Sequence, residues 1–338
     1  MASLISGLTA CGVQPAAPEM LSTIAPPFEV QTAWSGYLPE TPTQVAIIQA
    51  AVTVRESMPP AALLQTSIPT FMKTPTPIPS ALQSRLPTRT LKPTAKITPT
   101  VPACLETQGH IETGSLSTDL LRAPLVYRIY LPPCYAQDRQ HRYPVLYLFH
   151  GQGFRDDQWD RIGADETADQ LIASHQIPPL IIVMPYEHYG DQPGEGNFSQ
   201  AIVEQLVPHL DQAYRTKPDS KHRAVGGLSR GGGWAIHFAM VHWDVFGALG
   251  GHSAAVFFAD AEQMRTYIDS IPSESLPRIY LDIGERDRPE ILRAAIWLEQ
   301  LLNEKDVPHE WHLFSGYHNE TYWAEHMAQY LYWYTQGW

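Results

Sequence analysis

Four short segments of the chain carry residue types that together could perform acyl transfer. The first is Gly227-Leu228-Ser229-Arg230-Gly231, a G-x-S-x-G pentapeptide. Such a pentapeptide sits where a strand passes into a helix so abruptly that side chains two positions either side of the serine would collide. Glycine is needed there, and the turn lifts the serine oxygen clear of the sheet. The second segment is His150-Gly151-Gln152-Gly153. A tetrahedral intermediate needs backbone N–H donors aimed at its negative oxygen, and the N–H groups of Gln152 and Arg230 are the expected pair. His150, at a strand end, is expected to brace the loop and not to act as the base. The third segment, Asp282-Ile283-Gly284-Glu285-Arg286-Asp287, supplies carboxylates. An acid that holds an imidazole in one tautomer belongs in a loop and must be buried. That selects Asp287, with Glu285 as the reserve and Asp282 set aside because it falls inside a strand. Asp287 also stands where it could cap a helix beginning at Arg288-Pro289. The fourth segment, Ser315-Gly316-Tyr317-His318-Asn319, supplies His318 as the base that takes and returns the serine proton.

Other histidines crowd the same end of the chain. His309, His312 and His326 lack the strand-end position of His318, and the four are separated by 3, 6 and 8 residues, which matches no compact zinc-ligand pattern. No metal and no cofactor is expected.

The elements that must position these residues are read from apolar runs alternating with amphipathic ones. Strands are predicted at Leu125–Leu131, Pro144–Phe149, Leu180–Met184, Arg223–Gly226, Gly247–Gly250, Arg278–Ile283 and Glu310–Phe314. Helices are predicted near Ala164–Ser174, Phe198–Tyr214, Gly232–Val241, Ala259–Asp269, Glu290–Asn303 and Thr321–Tyr334. This alternation implies a mainly parallel, doubly wound sheet with its site at the carboxyl ends of strands. Each of the four segments closes a strand. The order serine, acid, histidine along the chain is the one expected of an α/β-hydrolase.

Composition divides the chain. Residues 1–103 hold 16 of the 30 prolines, interleaved with Thr and Ser, so residues 12–103 read as a largely disordered, extended tether. Residues 104–338 form the expected hydrolase domain and carry 17 Lys and Arg against 31 Asp and Glu. That acidity argues against a nucleic-acid partner. Cys11 ends Leu8-Thr9-Ala10-Cys11, which resembles a bacterial lipobox preceded by a shortened signal, residues 1–11. The expectation is an exported, extracytoplasmic protein, lipid-anchored at Cys11. In an oxidising compartment Cys104 and Cys134 could form a disulfide at the start of the folded part, with free buried thiols as the alternative. There is no apolar run of 18 or more residues, so no spanning helix is expected.

The ordered motifs resemble the putative esterase family of α/β-hydrolases, in particular its feruloyl esterase and acetyl-xylan esterase-like members. The resemblance spans Gly109 to Tyr334. It includes Val126-Tyr127-Arg128-Ile129-Tyr130-Leu131-Pro132-Pro133, Tyr143-Pro144-Val145-Leu146-Tyr147, and His150-Gly151 with Trp159 eight residues on. It continues through Pro179-Leu180-Ile181-Ile182-Val183-Met184-Pro185, Asn197-Phe198 and His222-Arg223-Ala224-Val225-Gly226-Gly227-Leu228-Ser229. It ends with Gly284-Glu285-Arg286-Asp287 and Gly316-Tyr317-His318 with Trp323 five further on. The family also holds S-formylglutathione hydrolases, siderophore esterases and mycolyl transferases, so the resemblance implies chemistry more narrowly than substrate.

The expected activity is serine carboxylic-ester hydrolysis through an acyl-enzyme, on polysaccharide-linked or other extracellular esters. Acyl transfer to a sugar or lipid alcohol is one alternative, and an inert surface-binding protein on a hydrolase scaffold is another. Trp159, Asn197, Tyr317, Tyr322 and Trp323 are candidates to line the pocket. Arg230 stands where the family commonly has Met, and the expectation is a cation at the site that favours esters with an acidic or polar group.

Overall fold

The computed structural model describes residues 105–338 except Tyr189. The lipobox-like Cys11, the tether 12–103 and Cys104 lie outside the described residues. Eight strands form one sheet: β1 His110–Leu116, β2 Leu125–Leu131, β3 Val145–Phe149, β4 Ile181–Pro185, β5 Arg223–Leu228, β6 Ala248–His252, β7 Arg278–Gly284 and β8 Glu310–Phe314. Their order across the sheet is β1-β2-β4-β3-β5-β6-β7-β8. The pairs β1/β2 and β2/β4 are antiparallel and all others are parallel.

The central strands read as unbroken apolar runs because both faces are covered. Along β3, Val145, Tyr147 and Phe149 enter one core while Leu146 and Leu148 enter the other. The pleat alone separates them, since successive side chains point to opposite faces. The helices are α1 Gln158–Arg161, α2 Ala164–Ala173, α3 over 198–213, α4 Arg230–Val241, α5 Phe258–Ser270, α6 Pro289–Glu304 and α7 Glu320–Tyr334. The middle of α3, Ala201–Leu206, is π-helical and runs into Val207–Ala213 with a proline in its first turn. Pro208 has no N–H and crowds the carbonyl four residues back, and a widened turn accommodates both. Among the described residues no helix is long and apolar enough to cross a membrane.

The predicted strands and long helices are all present, with ends moved by one or two residues. Strand β1 was not predicted. Its residues, HIETGSL, are half exposed at the sheet edge and show no apolar run. Pairing with β2 sets Gly114 opposite Tyr127, and a side chain at Gly114 would overlap the Tyr127 ring. At the end of β2, Cys134 is disulfide-bonded, and its N–H donates to Glu106 Oε2 at 2.7 Å. The partner sulfur lies outside the described residues.

Strand order reverses about β3 and β5, whose Phe149 and Gly227 are register partners. A crevice at the carboxyl ends of strands forms at such a switch point, and the loops after these two strands carry Gln152 and Ser229.

Candidate active site

Ser229 joins β5 to α4 with φ 55° and ψ −121°, a backbone conformation that costs an L-residue about 1–3 kcal/mol. Three bonds hold it there. The Ser229 N–H donates to the His252 carbonyl at 3.0 Å, and its own carbonyl accepts from Gly233 N–H (3.2 Å) and Ala255 N–H (2.9 Å). A Cβ at Gly227 would overlap the Gly231 carbonyl, and one at Gly231 would overlap the Phe149 carbonyl. The glycines two positions either side of Ser229 therefore answer a steric demand.

The structure brings Ser229, His318 and Asp287 together. Ser229 Oγ lies 2.9 Å from His318 Nε2, and His318 Nδ1 lies 2.8 Å from Asp287 Oδ1. Asp287 is buried, and its Oδ1 also accepts from Arg288 N–H at 2.6 Å. It thus serves the imidazole and the entry of α6 at once. Glu285, the reserve acid, is exposed and bonded to Ser315 Oγ. The turns that carry Asp287 and His318 are stitched by backbone: Glu285 N–H donates to the Phe314 carbonyl and Arg286 N–H to the Gly316 carbonyl, at 2.7 and 3.0 Å. A Cβ at Gly284 would come within 2.5 Å of the Gly316 oxygen, so glycine permits the approach.

The loop after β3 is braced from several sides. His150 Nδ1–H donates to the Gly151 carbonyl (2.8 Å) and Nε2 accepts from Glu187 N–H (2.9 Å). Those bonds define a neutral imidazole, and burial pushes the His150 pKa below its ordinary value. Gly151 N–H donates to Gln158 Oε1 (2.8 Å), and Gln158 Nε2 donates to Glu320 Oε1 (2.9 Å). Arg161 grips Glu320 through both terminal nitrogens, at 2.7 and 2.8 Å, and holds its carboxyl below the usual range. Gln158 and Glu320 thereby link the Gly151 loop to the start of α7, two residues beyond His318. No motif marks either residue in the sequence.

Of the candidate pocket residues, Trp159 and Tyr322 are buried and Trp323 is 3% exposed. Trp159 Nε1 donates to the Phe149 carbonyl at 2.9 Å, and Trp323 meets His318 edge-on at 5.1 Å between ring centres. These rings support the site from below and offer it little surface. Asn197 is exposed and donates to the Leu120 carbonyl at 3.2 Å. Tyr317 is 51% exposed beside His318, with the Arg286 guanidinium 4.4 Å from its ring centre. His309, His312 and His326 stay apart from Ser229. His309 bonds the Val307 carbonyl, and the other two stack on Phe314.

The expectation that Arg230 presents a cation to substrate is corrected. Arg230 Nε donates to Glu187 Oε2 at 2.9 Å, a terminal nitrogen donates to the Asp191 carbonyl, and the guanidinium lies 5.1 Å from the Phe257 ring centre. Its side chain is 13% exposed and that of Glu187 5%. The charge is compensated within the protein.

Asp282, set aside as a strand residue, anchors a buried polar cluster beneath Ser229. Its Oδ1 accepts from His252 Nδ1–H at 2.6 Å, and its Oδ2 accepts from Tyr322 and Tyr330 hydroxyls at 2.6 and 2.8 Å. Tyr334 OH lies 2.9 Å from His252 Nε2. Desolvation, reinforced by the Asp282 charge, raises the pKa of all three tyrosines. A further Ser–His–Asp contact joins Ser199 Oγ to His237 Nε2 (3.1 Å) and His237 Nδ1 to Asp260 Oδ1 (2.9 Å), with His242 Nε2 also 3.3 Å from Ser199 Oγ. Ser199 lies within a helical turn and is shared between two imidazoles, so it lacks the strand-to-helix elbow of Ser229.

A strained serine, an imidazole on its oxygen and a buried carboxylate on the far imidazole nitrogen form an arrangement suited to nucleophilic acyl transfer. Residues 120–334 match the family described as "Putative esterase". The chain is 29% identical over 179 residues to an endo-1,4-beta-xylanase/feruloyl esterase of Xylanibacter ruminicola, covering 50% of this chain and 24% of that protein. It is 34% identical over 122 residues to an esterase of Mycobacterium tuberculosis, covering 33% of this chain and 25% of that one. The chain thus spans about a quarter of the length of these curated relatives. Among solved structures, a ferulic acid esterase superposes with TM-score 0.61 at 26% identity, covering 68% of this chain and 99% of the other. With its mainly parallel sheet, its helices on both faces and its elbow after β5, the chain has the α/β-hydrolase fold and belongs to the Putative esterase family.

Proposed function

We propose that the chain is a serine carboxylic-ester hydrolase that works through an acyl-enzyme on Ser229. His318 takes the Ser229 proton at Nε2 as Oγ attacks the ester carbonyl, and Asp287 keeps the opposite nitrogen protonated and stabilises the imidazolium. The oxyanion is met by the N–H groups of Gln152 and Arg230. Arg230 opens α4, where a helix leaves its first N–H groups without intrahelical partners. Among the described residues no hydrogen bond uses Gln152 N–H. Collapse expels the alcohol with the proton from His318, and water repeats the sequence to release the acid.

The observation that carries this reading is the pair of distances, 2.9 and 2.8 Å, linking Ser229, His318 and Asp287. The proposed substrates are polysaccharide-linked or other extracellular esters of the feruloyl or acetyl kind, with Tyr317 and Asn197 at the pocket rim. Likeness to feruloyl esterases supports this choice. Export with a lipid anchor at Cys11, the tether 12–103, a hydrolase domain over 104–338 and a Cys104 to Cys134 disulfide belong to the same proposal. The test is labelling by a fluorophosphonate, expected in the native chain and absent in Ser229→Ala. It is paired with assays on methyl ferulate, acetylated xylan and short nitrophenyl esters. Labelling that persists in Ser229→Ala refutes the nucleophile.

A further inference from the structure

The two proposed oxyanion donors are joined by a chain of contacts that runs outside the triad. Gly151 C=O and Gln152 N–H belong to one planar peptide, so whatever fixes the carbonyl also aims the N–H in the opposite direction. That carbonyl accepts from His150 Nδ1 at 2.8 Å and from Phe154 N–H at 3.2 Å. His150 Nε2 is in turn fixed by Glu187 N–H at 2.9 Å. Glu187 is itself pinned by its carboxylate, Oε1 accepting from Gly190 N–H (2.7 Å) and Oε2 from Arg230 Nε (2.9 Å). Arg230 bears the second donor on its own backbone. The path therefore begins at one donor residue and ends at the other.

We propose that Arg230 and Glu187 are positioning residues that set the distance and aim of the two oxyanion donors by clamping Glu187, Gly190 and Asp191 against the loop after β3. This rests on the acyl-enzyme reading above and adds a role for side chains that never meet the substrate. The nearly buried pair is the clamp, and Asp191 C=O on the guanidinium fixes its angle. Because the Arg230 charge is spent on Glu187, the clamp acts on the rate of the chemical step and leaves selection between anionic and neutral esters alone.

The test is a double-substitution cycle in the full chain with Arg230→Met, Glu187→Ala and both together, rates normalised by fluorophosphonate titration of active Ser229. Glu187→Gln, which keeps the side-chain volume, replaces Glu187→Ala if that variant does not fold. Each single change is expected to lower kcat about 10- to 100-fold with KM within about threefold, since small misplacement of a transition-state donor is felt at that scale. The double variant is expected to be about as slow as the slower single one, because both cut the same path. Affinity for an aryl boronic acid, whose tetrahedral adduct places an oxygen in the same hole, should fall in parallel with kcat, which a loss of fold alone would not produce. Arg230→Lys, with one of the two contacts restored, should recover part of the loss. The ratio of kcat/KM values for anionic and neutral esters should stay constant. Wild-type kcat in either single variant, losses that multiply, or a shifted ester ratio would overturn the clamp. If native Ser229 takes no label, the acyl-enzyme reading falls first and the clamp with it.

Discussion

Tyr330, Tyr332 and Tyr334 lie on one helix, and removing each hydroxyl in turn should separate the two buried, hydrogen-bonded ones from the one that faces solvent. Tyr334 is 1% exposed, and its hydroxyl is placed against Gly226 and Gly250 of adjacent strands, where a Cβ on either would overlap it. Within the cluster, His252 Nδ1–H is committed to the Asp282 carboxylate, and in the neutral ring this leaves Nε2 as an acceptor for Tyr334 OH. Tyr334→Phe therefore leaves a buried acceptor without a donor, a loss of about 1–3 kcal/mol. Tyr330→Phe removes a donor from a buried carboxylate oxygen that Tyr322 still serves. A bond to a charged group is lost but nothing is orphaned, so about 1.5–3 kcal/mol is expected. Tyr332 is 53% exposed, and Tyr332→Phe should stay within about 0.5 kcal/mol of the parent. Urea unfolding followed by far-UV circular dichroism, with the m-value checked for constancy, reads all three. If Tyr334→Phe behaved like Tyr332→Phe, the proton assignment at His252 would be refuted. The cluster would then have to be satisfied in another way.

Gly231→Ala should abolish the elbow geometry, because its Cβ would meet the Phe149 carbonyl, a backbone atom that cannot rotate away. Ester hydrolysis is expected to drop at least about 100-fold, at the scale of a misplaced reacting atom, and near-normal turnover would show that the strand end can yield. Asp287→Asn should lower kcat by about 10⁴-fold while the fold persists, by removing the anion that fixes the His318 tautomer; a loss below about tenfold would move the acid elsewhere. For His150 the sign follows from its lowered pKa: the unfolded chain binds the proton more readily, so stability is full above the unfolded value near 6.5 and falls as pH drops from there toward the folded value. Urea midpoints across about pH 5–8 should lose part of that slope in His150→Gln. His242, held low by burial and by His237, contributes in the same direction as His150, and Asp165, raised to about 7 chiefly by burial, in the opposite one. An unchanged slope would exclude His150 as a contributor.

Much of the fold was legible because the buried strands cannot disguise themselves. Runs such as IIVMP and VLYLF are fully apolar with both faces covered, and the elbow glycines are dictated by backbone clashes that any such turn imposes. Ser229, Asp287 and His318 stood out for the same reason, each closing its own strand. The edge strand β1 was silent, since a half-exposed polar strand has no periodic signature. The side-chain braces were silent too. Gln158 and Glu320 meet across 162 positions of sequence, and Glu187 meets Arg230 across 43. Neither pair has local spacing that could reveal it. Arg230 was misread because its charge was visible and its partner was not. Asp282 was set aside as the acid because it falls inside a strand, and its role in the core was silent because its three donors come from residues 30, 40 and 48 positions away.

The backbone bonds that stitch the 285–287 turn to the end of β8 bear on how such an enzyme can be diversified. Peptide groups make these contacts, so point substitutions at Glu285, Arg286 or Ser315 leave Asp287 and His318 in register. A single inserted or deleted residue in either turn would shift both ladders at once. Libraries built to alter substrate scope would therefore do well to randomise side chains here at constant length, and to keep changes of loop length for segments whose backbone is not shared between the Asp287 and His318 turns.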